Sequence, residues 1–289
     1  MIGRFAPSPT GPLHFGSLLT AVASYVHARA GGGRWLLRVE DLDTLRCVPG
    51  AADSILRTLD RHGLRWDDLA YQHERTDLYR QALDRLVADG HTFVCTCSRS
   101  QLQDTDVYPG TCRTKDLPHT GEGAIRVRVP VKTVGFVDGI QGPYSQRLDE
   151  DVGDFVVFRR DGIFAYQLAV VVDDATQGIT EVVRGADLLD NTPRQLLLFE
   201  LLGAAAPTYL HVPVLADRSG RKLSKQTAAT AVRADTATGN LHAALDLLGQ
   251  NPPASLAHST PAEVLAWAVD HWSVAAIPRG VVNPGFVCV

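Results

Sequence analysis

Apolar positions along the 289 residues alternate between two periods, one suited to strands and one to helices. Ile2 to Phe5 is short and largely apolar, as a buried strand is. Pro7, Pro9, Gly11 and Pro12 then exclude both helix and central strand. From Leu18 the run LLTAVASYVHA has helical length and is closed by Gly31 to Gly33. Arg34 to Val39 (RWLLRV) predicts a second strand. Gly50 to His62 and Asp77 to Asp89 carry helical spacing, in Ile55, Leu56 and Leu59 and in Leu78, Leu83, Leu86 and Val87, and Gly63 and Gly90 stop them. Leu64 to Asp68 between them suggests packing only. Gly123 to Pro130 alternates as a strand, with Val134 to Ile140 a candidate to pair with it. Asp154 to Arg160 is a further strand, Asp161-Gly162 a tight turn, and an apolar run, Phe164 to Asp174, follows. Ile179 to Val183 is again strand-like. Thr192 suits a helix cap before Pro193, with Gly203 at the far end. Leu210 to Asp217 is strand-like, and Leu241 to Leu248 and Ala262 to Trp272 predict two amphipathic helices with a Pro-rich link. Strands and helices that alternate in this way predict an α/β fold.

This pattern places the chemistry. Strand, stiff turn and helix start, in that order, aim free N–H groups and the helix dipole at one spot, which suits an anion. The Gly-rich dinucleotide and P-loop patterns are both absent. His14 sits at the helix mouth, followed by Gly16 and Ser17. Glu40-Asp41-Leu42-Asp43 ends the second strand, where open α/β sheets bind ligands, and a carboxylate there suits an amine. Glu40 is the functional candidate, whereas Asp41 and Asp43 partly serve as caps for the next helix. Arg4 and Arg184 offer planar forks of donors for a carboxylate, with Ser8 near Arg4. Residues 221–226 read RKLSKQ, and ammonium groups at Lys222 and Lys225 on a loop can neutralise charge on an attacked phosphorus and on leaving pyrophosphate.

The cysteines add a metal. Cys95, Cys97 and Cys112 lie close together, two at i and i+2 and the third after a Pro-Gly turn. Thiolates so spaced can converge on one tetrahedral ion, for which zinc is the usual occupant. Chemistry alone offers His91 or His119 as the fourth ligand. Cys47 and Cys288 are incidental. Five cysteines, an odd number, fit a reducing compartment. No apolar run reaches the ~18 residues of a membrane span, and the N-terminus does not have the pattern of a signal peptide, so a cytoplasmic protein with no membrane partner is expected. The net charge of −4 attracts no nucleic acid globally, so any RNA must be held by a local patch. Arg57, Arg61 and Arg65 could form such a stripe, although a solvated helix face accounts for them better.

RFAPSPTG followed by His14-x-Gly16, with Lys222-Leu-Ser-Lys225 about 200 residues later, resembles the two signatures of class I aminoacyl-tRNA synthetases, in the variant of the glutamyl branch. The family often has a second histidine where this chain has Ser17. The match extends to R-x-E-D-x-D at Arg38, to Y-x-L-A-V-V-V-D-D at Tyr166, to Arg184, and to C-x-C then Y-x3-C, the zinc pattern of a short glutamyl-synthetase-like family. It implies a Rossmann-like parallel sheet with an inserted zinc-containing α+β subdomain and a short helical C-terminal remnant. The corresponding ranges are 1–90 and 151–226 for the two catalytic halves, 91–150 for the zinc-containing connective insertion, and 227–289 for the remnant, which is too short for an anticodon-binding domain.

The resemblance also implies roles. Glutamate is bound by Arg4, Ser8, Glu40 (the α-amino group), Tyr166 and Arg184 (the γ-carboxylate). His14, Lys222 and Lys225 are catalytic, and His14, Gly16, Ser17 and Lys225 hold ATP, with Mg²⁺ on its phosphates and no residue assigned to it. One structural Zn²⁺ takes Cys95, Cys97, Tyr108 and Cys112, the tyrosine being the fourth ligand. The implied reaction activates L-glutamate with ATP, without tRNA, and transfers it to queuosine at the wobble position in the anticodon arm of tRNA(Asp). A monomer is expected. The other readings are a truncated glutamyl-tRNA synthetase charging a tRNA 3′ end, an adenylating ligase with a small-molecule acceptor, and a non-catalytic RNA-binding protein.

Overall fold

In the computed structural model, residues 1–103, 105–119, 123–216 and 232–282 are described. Lys222, Lys225 and Cys288 lie outside them. In chain order the elements are β1 (Ile2–Phe5), α1 (Phe15–Ala30), β2 (Arg34–Val39), α2 (Ala51–Arg61), β3 (Asp68–Tyr71), α3 (Thr76–Ala88), β4 (Thr92–Cys95), β5 (Ala124–Val127), β6 (Thr133–Asp138), β7 (Gly142–Arg147) and the one-turn α4 (Leu148–Asp151). Then come β8 (Val156–Phe158), α5 (Tyr166–Thr176), β9 (Glu181–Gly185), α6 (Thr192–Leu201), β10 (Thr208–Val212), β11 (Val214–Leu215), α7 (Ala237–Leu247), α8 (Pro261–Asp270) and β12 (Val281–Val282).

Two parallel ladders carry the fold. One is β1–β2–β3, in register Arg4 with Leu36 and Leu36 with Asp68; the other is β9–β10, with Arg184 opposite His211. They meet where Thr180 N–H donates to the Ile2 carbonyl at 2.9 Å. The chain leaves β1 for β2 on one side and returns as β9 on the other, so the strand order reverses there. Such a switch point opens a crevice at the carboxyl ends of the strands.

Several elements depart from the pattern read along the chain. Asp68 to Tyr71 pairs with β2 as a strand, although its half-exposed DLAY carries little apolar signal. Val134 to Ile140 does not pair with the strand before it: β5 lies between β4 and β8, and β6 folds back onto β7. The cause is local. Asp138 accepts from the backbone N–H groups of Ile140 (2.9 Å) and Gln141 (2.8 Å), and Gly142 takes φ +87°, closing a hairpin. Asp41 and Asp43 do not cap α2, which starts after Gly50 without a side-chain cap. Asp41 instead accepts from His73, and Asp43 from Arg46 and Arg159. Thr192 likewise caps nothing; its hydroxyl accepts from Arg184.

Two large apolar cores form. The first joins β1, β2 and α1 to the C-terminal helices, with Trp35, Leu59, Leu241, Leu245 and Val264 fully buried. The second joins α3, β5, β8, α5 and α6 around Tyr79, Leu86, Val157 and Leu168. The sheet of β4 and β5 takes β8 as its third strand. Among the described residues no helix is long and apolar enough to cross a membrane.

Candidate active site

A cavity of about 600 Å³ opens at the switch point. β1 and the turn after it supply Arg4 and Ser8, and the start of α1 supplies His14, Gly16 and Ser17. The ends of β2 and β9 supply Glu40 and Arg184, and Tyr166 enters from the start of α5. Every residue expected to touch glutamate or ATP that falls in the described chain thus lines one space.

The Pro-rich turn is pinned to the sheet. Glu40 N–H donates to the Pro7 carbonyl at 3.0 Å and Val48 N–H to that of Pro9 at 2.9 Å. Gly11, at φ +139°, takes a backbone conformation that side chains disfavour. His14 is the N-cap of α1. Its Nδ1 accepts from Ser17 N–H at 3.3 Å, and its Nε2 lies 3.1 Å from the Ser17 hydroxyl. Ser17, where the family pattern often has histidine, therefore orients the His14 ring.

Beneath the cavity lies a buried charge network. Arg4 donates Nε and Nη2 to the two oxygens of Asp174, each at 3.2 Å. Arg38, fully buried, ion-pairs with Asp174 at 2.8 Å, Asp173 at 3.4 Å and Glu40 at 3.7 Å, and donates to Gln177 at 2.7 Å. Asp173 also accepts from Gln72, Arg75 and Tyr79. Burial pushes the Glu40 carboxyl up to about 7, against the pull of Arg38 and Arg4. Arg4, Arg38 and Arg75 together offset Asp173, Asp174 and Glu40, and Glu40 is the carboxylate of this network that lines the cavity, where it can face a substrate cation.

Arg184, also buried, donates to His211 (3.0 Å), Gln195 (2.8 Å) and Thr192 (2.8 Å), and more weakly to the Leu188 carbonyl (3.4 Å). Those partners take most of its five N–H donors. Tyr166 is 37% exposed, into the cavity.

The cysteines converge as the spacing suggests. The Sγ atoms of Cys95, Cys97 and Cys112 lie within 4.8 Å of one another, and the Tyr108 hydroxyl is 3.4 Å from Cys95 Sγ and 3.9 Å from Cys97 Sγ. A tetrahedral ion with ~2.3 Å bonds to sulfur needs ligand atoms about 3.8 Å apart, so the donor set fits a metal. His119 bonds Thr92 instead, at 3.2 Å. Burial alone would raise the Cys112 thiol, but hydrogen bonds from Thr96 N–H and the Tyr108 hydroxyl bring it to about 6, favouring the thiolate a metal needs. Burial and the neighbouring thiols push the Tyr108 phenol up, so a bound cation would have to supply the drive to phenolate; the Arg126 guanidinium lies 4.0 Å from its ring centroid.

The model of tRNA synthetases class I (E and Q), catalytic domain, matches residues 1–108 and 111–248. A glutamyl-Q tRNA(Asp) synthetase of Pseudomonas paraeruginosa is 54% identical over 286 residues, 98% of this chain and 97% of that protein. One of Dechloromonas aromatica is also 54% identical, over 96% of this chain and 95% of that protein. The chain belongs to the glutamyl-Q tRNA(Asp) synthetase family of class I tRNA synthetases. A glutamate tRNA ligase from Elizabethkingia meningosepticum, solved with its amino acid, superposes with TM-score 0.84 at 24% identity, covering 99% of this chain and 67% of that one. That likeness shows the fold.

Sequence reasoning left the supporting residues of this family member without roles. Asp173 and Asp174 close the motif that begins at Tyr166, and an apolar run that ends in two buried carboxylates is itself a sign that cations lie opposite. Arg38 sits in a strand of buried residues, where a guanidinium needs such partners. Arg46 and Asp187 line the cavity too, with no pattern to mark them.

Proposed function

We propose that the chain activates L-glutamate with ATP in the absence of tRNA and transfers it to queuosine in the anticodon arm of tRNA(Asp). The observation that carries the reading is the cavity, which brings the Glu40 carboxylate and the Arg4 and Arg184 guanidinium groups together beside the mouth of α1. A substrate with an ammonium and two carboxylates suits that set, and a triphosphate suits the helix N-terminus. Relatives that share over half the sequence bear the name of that reaction.

In this reading Glu40 takes the α-ammonium of glutamate, Arg184 its γ-carboxylate, and Arg4, Ser8 and Tyr166 complete the site. The α-carboxylate attacks the α-phosphorus of ATP, forming the mixed anhydride and expelling pyrophosphate. His14, Gly16 and Ser17 face the nucleotide, and His14, Lys222 and Lys225 offset the charge gathering on phosphorus and leaving group. Mg²⁺ accompanies the phosphates. A hydroxyl of queuosine then attacks the acyl carbon, its proton passes to solvent or to the departing phosphate, and AMP leaves. Cys95, Cys97, Tyr108 and Cys112 would hold one structural Zn²⁺, which would tie β4 to the loops after it. A cytoplasmic monomer is part of the same reading.

The test is transfer of labelled glutamate to tRNA(Asp) with and without queuosine, to tRNA(Glu), and to each tRNA lacking its 3′-terminal adenosine. The expected result is queuosine-dependent labelling of tRNA(Asp) that survives removal of the 3′ adenosine. Labelling of tRNA(Glu) that the removal abolishes would establish 3′-end charging instead.

A further inference from the structure

Behind Arg184 stands a buried pair that the reaction as drawn does not use. His211 on β10 is the register partner of Arg184 across the parallel ladder and is fully buried, and Asp138 at the end of β6 is 2% exposed. The hydrogen bonds fix the tautomer. A guanidinium has donors only, so His211 Nε2, 3.0 Å from Arg184 Nε, must offer its lone pair. The imidazole proton therefore sits on Nδ1 and is donated to Asp138 Oδ2 at 2.6 Å. Asp138 is itself held by the N–H groups of Ile140, Gln141 and His211. Burial, reinforced by the charge of Arg184, disfavours the imidazolium, which would turn an N–H toward the guanidinium. Other groups complete the clamp. Thr192 Oγ1 accepts from Nη2, Gln195 Oε1 from Nη1, and the Tyr209 ring centroid lies 5.2 Å from the guanidinium carbon.

Resting on the assignment of Arg184 to the γ-carboxylate, we propose that His211, oriented by Asp138, is a positioning residue that presets the Arg184 fork for glutamate. The acceptor tautomer holds the Nε edge, so the guanidinium meets the carboxylate already aimed, with an Nη1 N–H beyond the bond to Gln195 left to donate. Without it the side chain, with its many rotamers, must be ordered on each binding event. His211 touches neither ATP nor the reacting carboxylate in this scheme, so its loss should act on glutamate binding alone.

The test is pyrophosphate exchange by the full-length protein, varying L-glutamate at saturating ATP and ATP at saturating glutamate. H211L, which has no acceptor, should raise the KM for glutamate roughly ten- to a hundredfold, the scale that misplacing a positioning group costs, with kcat and the KM for ATP within about twofold. H211Q, whose Oε1 can accept from Arg184 Nε, should recover most of the loss. An unchanged glutamate KM in H211L, an equal rise in both KM values, or an H211Q no better than H211L would each overturn the proposal. If H211L does not fold, T192V reports on the same clamp: a raised glutamate KM supports it and an unchanged one overturns it. R184Q separates the two ideas. A normal glutamate KM in R184Q removes the role of Arg184 and the positioning proposal with it. A raised KM in R184Q beside a normal one in H211L or T192V removes the positioning proposal alone.

Discussion

Glu40 faces the cavity at the expense of the fold. Burial lifts its carboxyl from an ordinary 4.5 to about 7, even with Arg38 3.7 Å away. The folded protein therefore holds a proton that the unfolded chain releases between those two values. Stability from this group is complete below about 4.5 and is lost as the pH rises through 7. Glu40→Gln removes that burden, so it should raise the melting temperature at pH 8 by a few degrees, about what 1 kcal/mol shifts in a domain of this size, and by less at pH 5. In glutamate-dependent pyrophosphate exchange the same variant should lower kcat/KM for glutamate by roughly a hundredfold, the scale of a lost charged partner. The wild type should lose kcat/KM as the pH falls through 7, because the protonated carboxyl no longer pairs with an ammonium. A flat profile, or a Gln variant less stable at pH 8, would contradict the account. Glu40 was legible from its place at a strand end. Arg38 and the aspartates beneath it were not, because buried ion pairs bring together residues far apart in the chain.

At the scale of the element, local chemistry and tertiary packing divide the outcome. α1 follows from its own sequence: the turn before it, His14 at its N-cap and Gly31 to Gly33 after it all agree. α5 does not, because Val170, Val171 and Val172 favour strands. Their burial against α3 and α6 in the second core decides for helix. The cysteine cluster is an intermediate case, its spacing plain in the chain and its surroundings decided by folding, which brings the Tyr108 hydroxyl 3.4 Å from Cys95 Sγ while His119 bonds Thr92. Metal analysis of the purified protein should find about one zinc per chain, as a closed tetrahedral site requires, with C112S well below that and Tyr108→Phe retaining more than C112S but releasing it faster to a chelator. Wild-type protein without zinc would defeat the assignment.

At the scale of the molecule, the helices after the KLSK segment are part of the first core rather than an appendage. Leu241, Leu245, Val264 and Leu265 are buried together with α1 and Trp35. Leu245→Ala should therefore cost about 2–5 kcal/mol, as core truncations do, and should lower the melting of the β1–α1 half that bears the cavity. A loss under about 1 kcal/mol, the range of surface changes, would mean that α7 contributes little to that core.

The chain by itself determined the alternation of strands and helices, the strand–turn–helix at its start, the convergence of cysteines and the motif residues of the cavity. These rest on signals within a few residues: period, Pro and Gly, caps and spacing. Tertiary structure alone decided that β6 turns onto β7, that Thr192 serves Arg184 rather than its helix, and that His211 and Asp138 stand behind that arginine. Each of these depends on which buried donor meets which acceptor, and that is set only when distant segments pack and every polar group left inside must find a partner.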